Sequence, residues 1–383
     1  LIVPPGPSAL SLMTALLGVL DGRDSPLVPV PACDLRVSES LAAALRIGAE
    51  IADDIALVIP TSGTTGTPKG SMLTAAALIA SASATHDRLG GPGTWLLALP
   101  THHIAGVQVL VRSLLAGTVP AELDVSGGFD PAELPRAVSE LGSGRRYTAL
   151  VANQLANALT DPDATAALAD LDAVLLGGGP APAPVLDGAA EAGITVVRTY
   201  GSSETAGGCV YDGVPLAGVQ VHIDDPDPAG EGRIVIGGAT LASGYRNPPH
   251  PDPFGEPGWF HTDDRGCFDA SGRLSVLGRT DDAVNTGGLT ILPGPVEAVL
   301  NRHPGVAECA VFAVPDDRLG QRMAVAVVPA AAAASPTLAE LRKFVARSLD
   351  AKAAPRELHF VEELPRLGIG KLDRRALRQR FSP

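Results

Sequence analysis

From about residue 55 to residue 205, short apolar runs alternate with helix-like stretches, and this alternation most restricts the fold. Ile55–Ile59, Trp95–Leu99, Tyr147–Val151, Asp172–Leu176 and Ile194–Arg198 read as strands, with Ile104–Leu115 and Pro182–Ala192 as helices between them. A chain patterned this way packs helices on a largely parallel sheet, so the fold class is α/β. Several strands end in polar or glycine-rich loops: Ile59 before Thr61–Gly70, Leu176 before Gly177-Gly178-Gly179-Pro180, and Arg198 before Tyr200-Gly201. Ligands of open α/β sheets collect at the carboxyl ends of strands, so these loops are expected to line one site.

Between residues 214 and 278 the texture changes to short strand-like runs, such as Gly232–Gly237 and Gly272–Gly278, broken by Gly, Pro and Asp turns. A small antiparallel, barrel-like subdomain is expected there. The texture changes again after Arg279. Pro295–His303 is helix-like, Val306–Val314 and Met323–Pro329 are strand-like, and Leu338–Leu349 carries Leu338, Leu341, Val345 and Leu349 on one helical face. Glu357–Val361 reads as a last strand. About a hundred residues suffice for an independent core. The expected organisation is therefore a large domain over 1–280 and a small α+β domain over 281–383.

The string Thr61-Ser62-Gly63-Thr64-Thr65-Gly66-Thr67-Pro68-Lys69-Gly70 follows the first strand and precedes a helix-like stretch from Thr74. Its glycines let backbone approach a ligand closely, and its hydroxyls and N–H groups are donors to an anion. Lys69 adds a point charge. The loop is not a Walker A motif: counting from Gly63, Pro68 stands where the second glycine is required and Gly70 where the magnesium hydroxyl is required. It is suited to a nucleotide triphosphate without belonging to the P-loop class.

The net charge of −13 argues against a sequence-independent nucleic-acid binder, which needs a basic surface. Local cations must then hold an anionic substrate against an acidic background. The four cysteines, Cys33, Cys209, Cys267 and Cys309, form no CxxC pair, so neither a zinc site nor a disulfide framework is expected, and the reading is a reducing cytoplasm. Ala9–Leu20 is apolar but short and lacks a basic leader, which favours an amphipathic helix over a signal peptide. No run is long enough to span a bilayer.

The ten-residue loop resembles the phosphate loop of the acyl-adenylate-forming superfamily, which includes acyl- and aryl-CoA ligases and peptide-synthetase adenylation domains. Further segments match in order. Tyr200-Gly201-Ser202-Ser203-Glu204-Thr205 resembles the Tyr-Gly-x-Thr-Glu motif, with Ser203 in place of threonine. The resemblance implies Tyr200 near adenine, the Ser203 hydroxyl at the α-phosphate, and Glu204 with Thr65 holding magnesium. A hard cation that carries phosphates takes only one or two carboxylates. Read by itself, Glu204 is a first-turn acid at a helix N-terminus.

Trp259-Phe260-His261-Thr262-Asp263-Asp264 resembles the aromatic-x-Thr-Gly-Asp segment, with Asp263 in place of glycine, and implies that Asp264 accepts the ribose hydroxyls. Gly278-Arg279-Thr280-Asp281-Asp282 resembles the segment that closes the large domain. It implies that Arg279 contacts ribose or phosphate and that Asp281 is the hinge about which the small domain moves. Gly287 and Gly288 match glycines near the pantetheine path and are the candidates for CoA binding, while Asn285, Leu289 and Thr290 depart from the commoner residues there. Pro365-Arg366-Leu367-Gly368-Ile369-Gly370-Lys371 resembles the catalytic lysine motif, in which the lysine bridges the carboxylate and the α-phosphate. The ATP-binding set so implied is Thr61, Ser62, Gly63, Thr64, Thr65, Gly66, Lys69, Gly178, Gly179, Tyr200, Gly201, Ser202, Ser203, Asp264 and Arg279. Lys371, Glu204 and His103 are the catalytic candidates.

Pro100-Thr101-His102-His103-Ile104-Ala105-Gly106 matches the superfamily's His-x-x-Gly segment beside the acyl pocket, although a histidine at a helix start can equally be a cap or packing residue. Arg112 stands inside an otherwise apolar helix. It is costly to bury unpaired and should meet an anion, snorkel to water or pair with an internal acid. The Arg-x-Leu-x-x-Gly context from Arg112 to Gly117 resembles o-succinylbenzoate–CoA ligases of menaquinone synthesis, whose substrate is a dicarboxylate. The short segment before the phosphate loop resembles compact actinobacterial forms of them. Substrate-binding candidates are His103, Arg112, Gly178 and Ser202.

The resemblance implies ATP, Mg2+ and coenzyme A, a small-molecule carboxylate, and a two-step reaction through an acyl-adenylate. It implies neither nucleic acid nor a membrane span as partner, with a homodimer as the oligomeric option. Three alternatives stay open: another aryl- or acyl-CoA ligase, a free-standing adenylation enzyme loading a carrier protein, and a nucleotide-binding regulatory module without turnover.

Overall fold

The computed structural model describes residues 2–3, 10–31, 35–61, 68–330, 334–367 and 370–382. The chain divides into two compact units, one of residues 1–178, 189–222 and 235–262, the other of residues 179–188, 223–234 and 263–383. Residues 214–278, expected as a barrel-like subdomain, are therefore shared between the two units.

In the first unit, strand β1 (Ile55–Thr61) pairs antiparallel with β2 (Lys69–Thr74), and Thr61 lies opposite Lys69. The phosphate-loop segment thus connects two antiparallel neighbours, and a strand intervenes before the helix expected from Thr74. Six residues are too few to reveal a period by themselves, and packing decides their state. A Cβ on Gly70 would stand 2.6 Å from Val58 and 2.8 Å from Leu45, so glycine lets β2 close on its neighbours. Thr74 then caps helix α1 (Ala75–Arg88), its hydroxyl accepting from the Ala77 N–H at 3.0 Å.

A seven-stranded sheet follows. It is built from β3 (Thr94–Leu97), β4 (Ala121–Glu122), β5 (Arg146–Val151), β6 (Ala173–Gly177), β7 (Val196–Ser202), β8 (Gly207–Tyr211) and β9 (Val214–Pro215), with helix α2 (Ile104–Ala116) between β3 and β4. The order is β9-β8-β7-β6-β5-β3-β4. Neighbours from β7 to β4 are parallel, as the alternation requires, and β8 and β9 turn back antiparallel. Strand β10 (Gly244–Tyr245) joins the other edge of β2. The strand expected over Ile194–Arg198 runs further than its apolar core: β7 carries Tyr200 and Gly201 in its pairing with β8. Gly201 is opposite Gly208, and a Cβ on Gly201 would run into the Gly207 carbonyl.

The second unit takes strand β11 (Trp259–Phe268) from Asp263 onward, paired with β12 (Leu274–Arg279) so that Asp264 faces Arg279. Strands β13 (Val284–Thr286) and β14 (Leu289–Ile291) form a hairpin, followed by helix α3 (Pro293–Leu300). Strands β15 (Val306–Asp316) and β16 (Gly320–Pro329) make the longest pairing, and helix α4 (Leu338–Val345) and strand β17 (Glu357–Phe360) follow. The chain ends on β18 (Arg366–Leu367), β19 (Lys371–Leu372) and helix α5 (Arg374–Phe381).

Period-two alternation in β15 and β16 feeds two cores. Val311, Ala313, Met323, Val325 and Val327 pack with Val296 and Leu300 of α3 and Leu341 and Val345 of α4. Ala310, Phe312, Val314, Ala324 and Ala326 pack with Leu377 of α5. A strand buried on both faces reads as the near-continuous apolar run Val306–Val314. Among the described residues no helix is long and apolar enough to cross a membrane.

Candidate active site

The phosphate-loop residues Ser62, Gly63, Thr64, Thr65 and Gly66 lie outside the described residues, but their flanks are described. Thr61 ends β1, and its hydroxyl donates to the Lys69 carbonyl at 3.4 Å. Asn247 grips the exit of the loop with both ends of its amide, donating to the Pro68 carbonyl at 2.7 Å and accepting from the Gly70 N–H at 3.1 Å. The Lys69 ammonium stands 4.5 Å from the centre of the Tyr245 ring, and the Tyr245 phenol donates to Glu204 Oε1 at 2.7 Å. One aromatic residue thus links the loop's cation to the carboxylate proposed for magnesium. Glu204 is buried, and a buried carboxylate is held only where its oxygens have donors.

Glu204 sits in the single 3-10 turn Ser203–Thr205 that follows β7. Thr205 accepts from the Ser202 N–H at 2.9 Å, and its hydroxyl lies 2.7 Å from the Gly207 carbonyl. Ser71 donates to the Ser203 carbonyl at 3.1 Å, and the Ala242 N–H donates to the Glu204 carbonyl at 2.9 Å. Ala206 is left-handed, with φ of 51°, a conformation that costs an alanine about 1–2 kcal/mol. Two buried side chains hold its carbonyl: Ser81 donates at 2.9 Å and Gln108 at 2.8 Å. Strain retained beside a candidate carboxylate and fixed from two helices is the pattern expected of a preorganised site.

His103 is the N-cap residue of α2, with no side-chain capping bond. Burial, and secondarily the neighbouring His102, lowers its pKa from 6.5 to about 4, so the imidazole is neutral at physiological pH. Gly106, one turn into the helix, packs so close to the Pro100 carbonyl that no Cβ fits, which gives the His-x-x-Gly spacing a packing reason. Arg112 lies about two and a half turns further along α2. It is 3% exposed. Its guanidinium lies 4.9 Å from the Trp95 ring centre and donates to the Tyr211 phenol at 3.4 Å, and among the described residues it pairs with no acid. Burial pulls its pKa down. Gly178 follows β6 with φ of 83°, which only glycine adopts without strain, while Gly179 belongs to the second unit and has open space around it.

In the second unit Arg279 holds three acids. It bonds both oxygens of Asp281 at 2.8 Å and Asp263 at 3.0 Å, and lies 4.0 Å from Asp264. Burial pulls its pKa down, and the carboxylates of Asp281, Asp264 and Asp263 more than offset that, so the net shift is upward. Asp264, at 22% side-chain exposure against 57% for Asp263, is the more enclosed of the adjacent acids. Gly287 and Gly288 have φ of 56° and 80° and form the two-residue connection between Thr286 and Leu289. A tight hairpin of this kind calls for glycine at both places whether or not a ligand passes. Lys371 opens β19 opposite Leu367, where the Gly370 N–H donates to the Leu367 carbonyl at 3.1 Å.

Tyr245, Asn247 and Gln108 contact or brace the candidate residues and are not marked out by sequence motifs. Only Gln108, polar within an apolar helix, carries a local signal. Cys33 lies outside the described residues; burial pushes the Cys209 thiol up to about 12 and raises Cys309 well above its ordinary value, so neither of these two is set up as a nucleophile. Among the described residues no group of three or more His, Cys, Asp or Glu side chains is placed to hold a metal by itself. A cation that arrives with phosphate ligands needs only one or two carboxylates, and Glu204 is the candidate for one.

The AMP-binding enzyme profile matches residues 29–246, and the profile of the AMP-binding enzyme C-terminal domain matches residues 295–371. A Mycobacterium tuberculosis protein named "Probable 2-succinylbenzoate--CoA ligase" is 65% identical over 382 residues, 99% of this chain and 97% of that one. A Bacillus cereus "2-succinylbenzoate--CoA ligase" is 35% identical over 343 residues, 84% of this chain and 69% of its own length. Among solved structures, o-succinylbenzoate CoA synthetase (MenE) from Bacillus subtilis, in complex with the acyl-adenylate intermediate OSB-AMP, has a TM-score of 0.76 at 25% identity, over 98% of this chain and 87% of that one. The amide bond synthetase McbA from Marinactinospora thermotolerans has a TM-score of 0.77 at 26% identity, over 100% and 80% of the two chains. The α/β class with a separate C-terminal domain agrees with the fold of these neighbours. On two matched profiles and full-length relatives, the chain belongs to the AMP-binding enzyme family.

Proposed function

We propose that this protein is an ATP-dependent o-succinylbenzoate–CoA ligase of menaquinone biosynthesis, acting in the cytoplasm. A carboxylate oxygen of the acid attacks the α-phosphorus of ATP, the bond to the β-phosphate oxygen breaks, and pyrophosphate leaves. The sulfur of coenzyme A, having lost its proton, then attacks the acyl carbon, and AMP leaves with the electrons of the broken C–O bond. Both steps depend on position and charge, and no protein nucleophile takes part.

The roles follow the residues. Residues 61–66 and Lys69 grip the β- and γ-phosphates, with Gly178 and Gly179 as further backbone contacts. Tyr200 and Gly201 take adenine, Ser202 and Ser203 meet the α-phosphate and the acid, and Asp264 and Arg279 hold the ribose. Glu204, with Thr65, would hold magnesium, which when bound neutralises phosphate charge. Lys371 stabilises the charge that develops as the adenylate forms. A rearrangement of residues 281–383 about Asp281 then admits the thiol along Gly287 and Gly288. Neutral His103 faces the reacting carboxylate. Arg112, buried beside Trp95 and Tyr211, is the cation proposed for the second carboxylate.

The observation that carries this reading is the 65% identity across the whole length of the M. tuberculosis relative. The Lys69–Tyr245–Glu204 arrangement gives it a physical footing, since it joins an anion-binding loop to a buried carboxylate. Incubation with ATP, Mg2+, o-succinylbenzoate and CoA, followed by chromatography, should yield equal amounts of AMP and the CoA thioester. Transfer to a carrier protein or an amine in preference to CoA would reassign the acceptor.

A further inference from the structure

The turn Thr280–Asp282 carries two consecutive acids with different partners. Asp281 binds back to Arg279. Asp282 binds forward across the unit, accepting from Arg374 at 3.1 Å and from Arg378 at 3.0 Å. Arg374 is fixed at every arm. It bonds both oxygens of Glu297 at 2.7 and 2.8 Å and donates to the Val311 carbonyl at 3.1 Å, while Glu297 also accepts the Val311 N–H at 2.7 Å. The side chains of Arg374, Glu297 and Asp282 are 15%, 8% and 19% exposed. Burial raises the Glu297 pKa, against the pull of Arg374.

Arg374 is the first residue of α5 and stands three positions after Lys371. Asp373, between them, caps that helix by accepting from the Ala376 N–H at 2.9 Å, and its own N–H donates to the Pro365 carbonyl at 2.8 Å. The β18–β19 hairpin therefore runs directly into a pinned arginine, and three residues reach at most about 10 Å. A buried ion network gains little net stability over apolar packing of the same volume, and its best-attested use is to fix register.

Resting on the proposed ligase reading, we propose that Asp282 is a positioning residue for Lys371. Through Arg374 it holds the lysine-bearing hairpin at a fixed distance from the turn that also carries Asp281. Placement errors of about 1 Å cost catalysis up to about a hundredfold. The arrangement serves the half-reaction that uses Lys371 and leaves the thioester half-reaction alone.

The test separates the half-reactions in the full chain: acid-dependent pyrophosphate exchange on one side, and thioester formation from supplied acyl-adenylate on the other. Asp282→Asn should lower kcat for exchange about tenfold or more, leave KM for ATP and acid within about twofold, and spare thioester formation. Asp282→Glu should recover most of the exchange. Arg378→Met, which removes one of the two partners of Asp282 at the rim, should lower exchange less, in the same half-reaction. Unchanged exchange in Asp282→Asn, or equal loss in both half-reactions by a variant that melts like wild type, overturns the proposal. Should Asp282→Asn not fold, Arg378→Met decides by the same split. A wild-type protein without acid-dependent exchange would instead sink the ligase reading.

Discussion

Arg112 and Arg374 are both withdrawn from water, in different company. Arg374 has the carboxylates of Glu297 and Asp282 and a backbone carbonyl, so its charge is balanced within the second unit. Arg112 has the face of Trp95 and a phenol at 3.4 Å, and among the described residues its Nε is without a partner. A buried charge with full pairing holds structure in place, whereas a buried charge that lacks an anion is one a ligand can complete.

The largest expected effect comes from breaking the paired side. Glu297→Gln leaves Arg374 short of its bidentate partner and should lower unfolding free energy by about 3–5 kcal/mol in urea titration. A loss below about 1 kcal/mol would mean that Asp282 and Val311 suffice. Tyr245→Phe comes next. It keeps the ring beneath Lys69 and removes the bond to Glu204, and a hydrogen bond to a charged group is worth about 1.5–3 kcal/mol. Pyrophosphate exchange should fall about tenfold, with a weaker rise in melting temperature on adding Mg2+ and a non-hydrolysable ATP analogue. An unchanged magnesium response would detach Tyr245 from the site.

The unpaired side should behave in the opposite sense. Arg112→Met should leave stability unchanged or raise it by up to about 1–4 kcal/mol. If the guanidinium takes the second carboxylate, the same variant raises KM for o-succinylbenzoate about tenfold and leaves KM for ATP alone. An unchanged KM removes Arg112 from the acid site and leaves it as a packing residue.

The smallest effects are those of pH. His103 has a lowered folded pKa of about 4, so the unfolded chain binds more protons between there and 6.5, and its contribution to stability rises with pH across that window. Burial first, then Asp124, raises Glu122 from 4.5 to about 7, so the folded chain binds the extra proton and this contribution falls as pH rises through that range. His103→Gln should remove the rising component and Glu122→Gln the falling one, read as the slope of melting temperature against pH. Slopes that survive both substitutions would place the titration elsewhere.

The sheet was legible because buried parallel strands announce themselves as apolar runs, as Ala173–Gly177 and Arg146–Val151 do. The β2 strand was not, because Lys69–Thr74 is short and owes its state to Val58, Leu45 and β10. The glycines at 287 and 288 attracted a ligand reading, and the hairpin alone accounts for their conformation. Candidate chemistry carried by contiguous residues, such as Tyr200–Glu204, can be proposed from the sequence. Tyr245 and Asn247 could not, since they reach the phosphate loop from more than 170 residues away. The Asp282–Arg374 pair joins positions 92 residues apart, and no local pattern marks it.

Acid dependence of pyrophosphate exchange bears most directly on whether this chain adenylates o-succinylbenzoate. With ATP, Mg2+ and a panel of acids, o-succinylbenzoate should support saturable exchange well above benzoate or fatty acids, and Lys371→Ala should abolish it. Exchange driven by those other acids but not by o-succinylbenzoate, or none with any acid, would contradict the assignment.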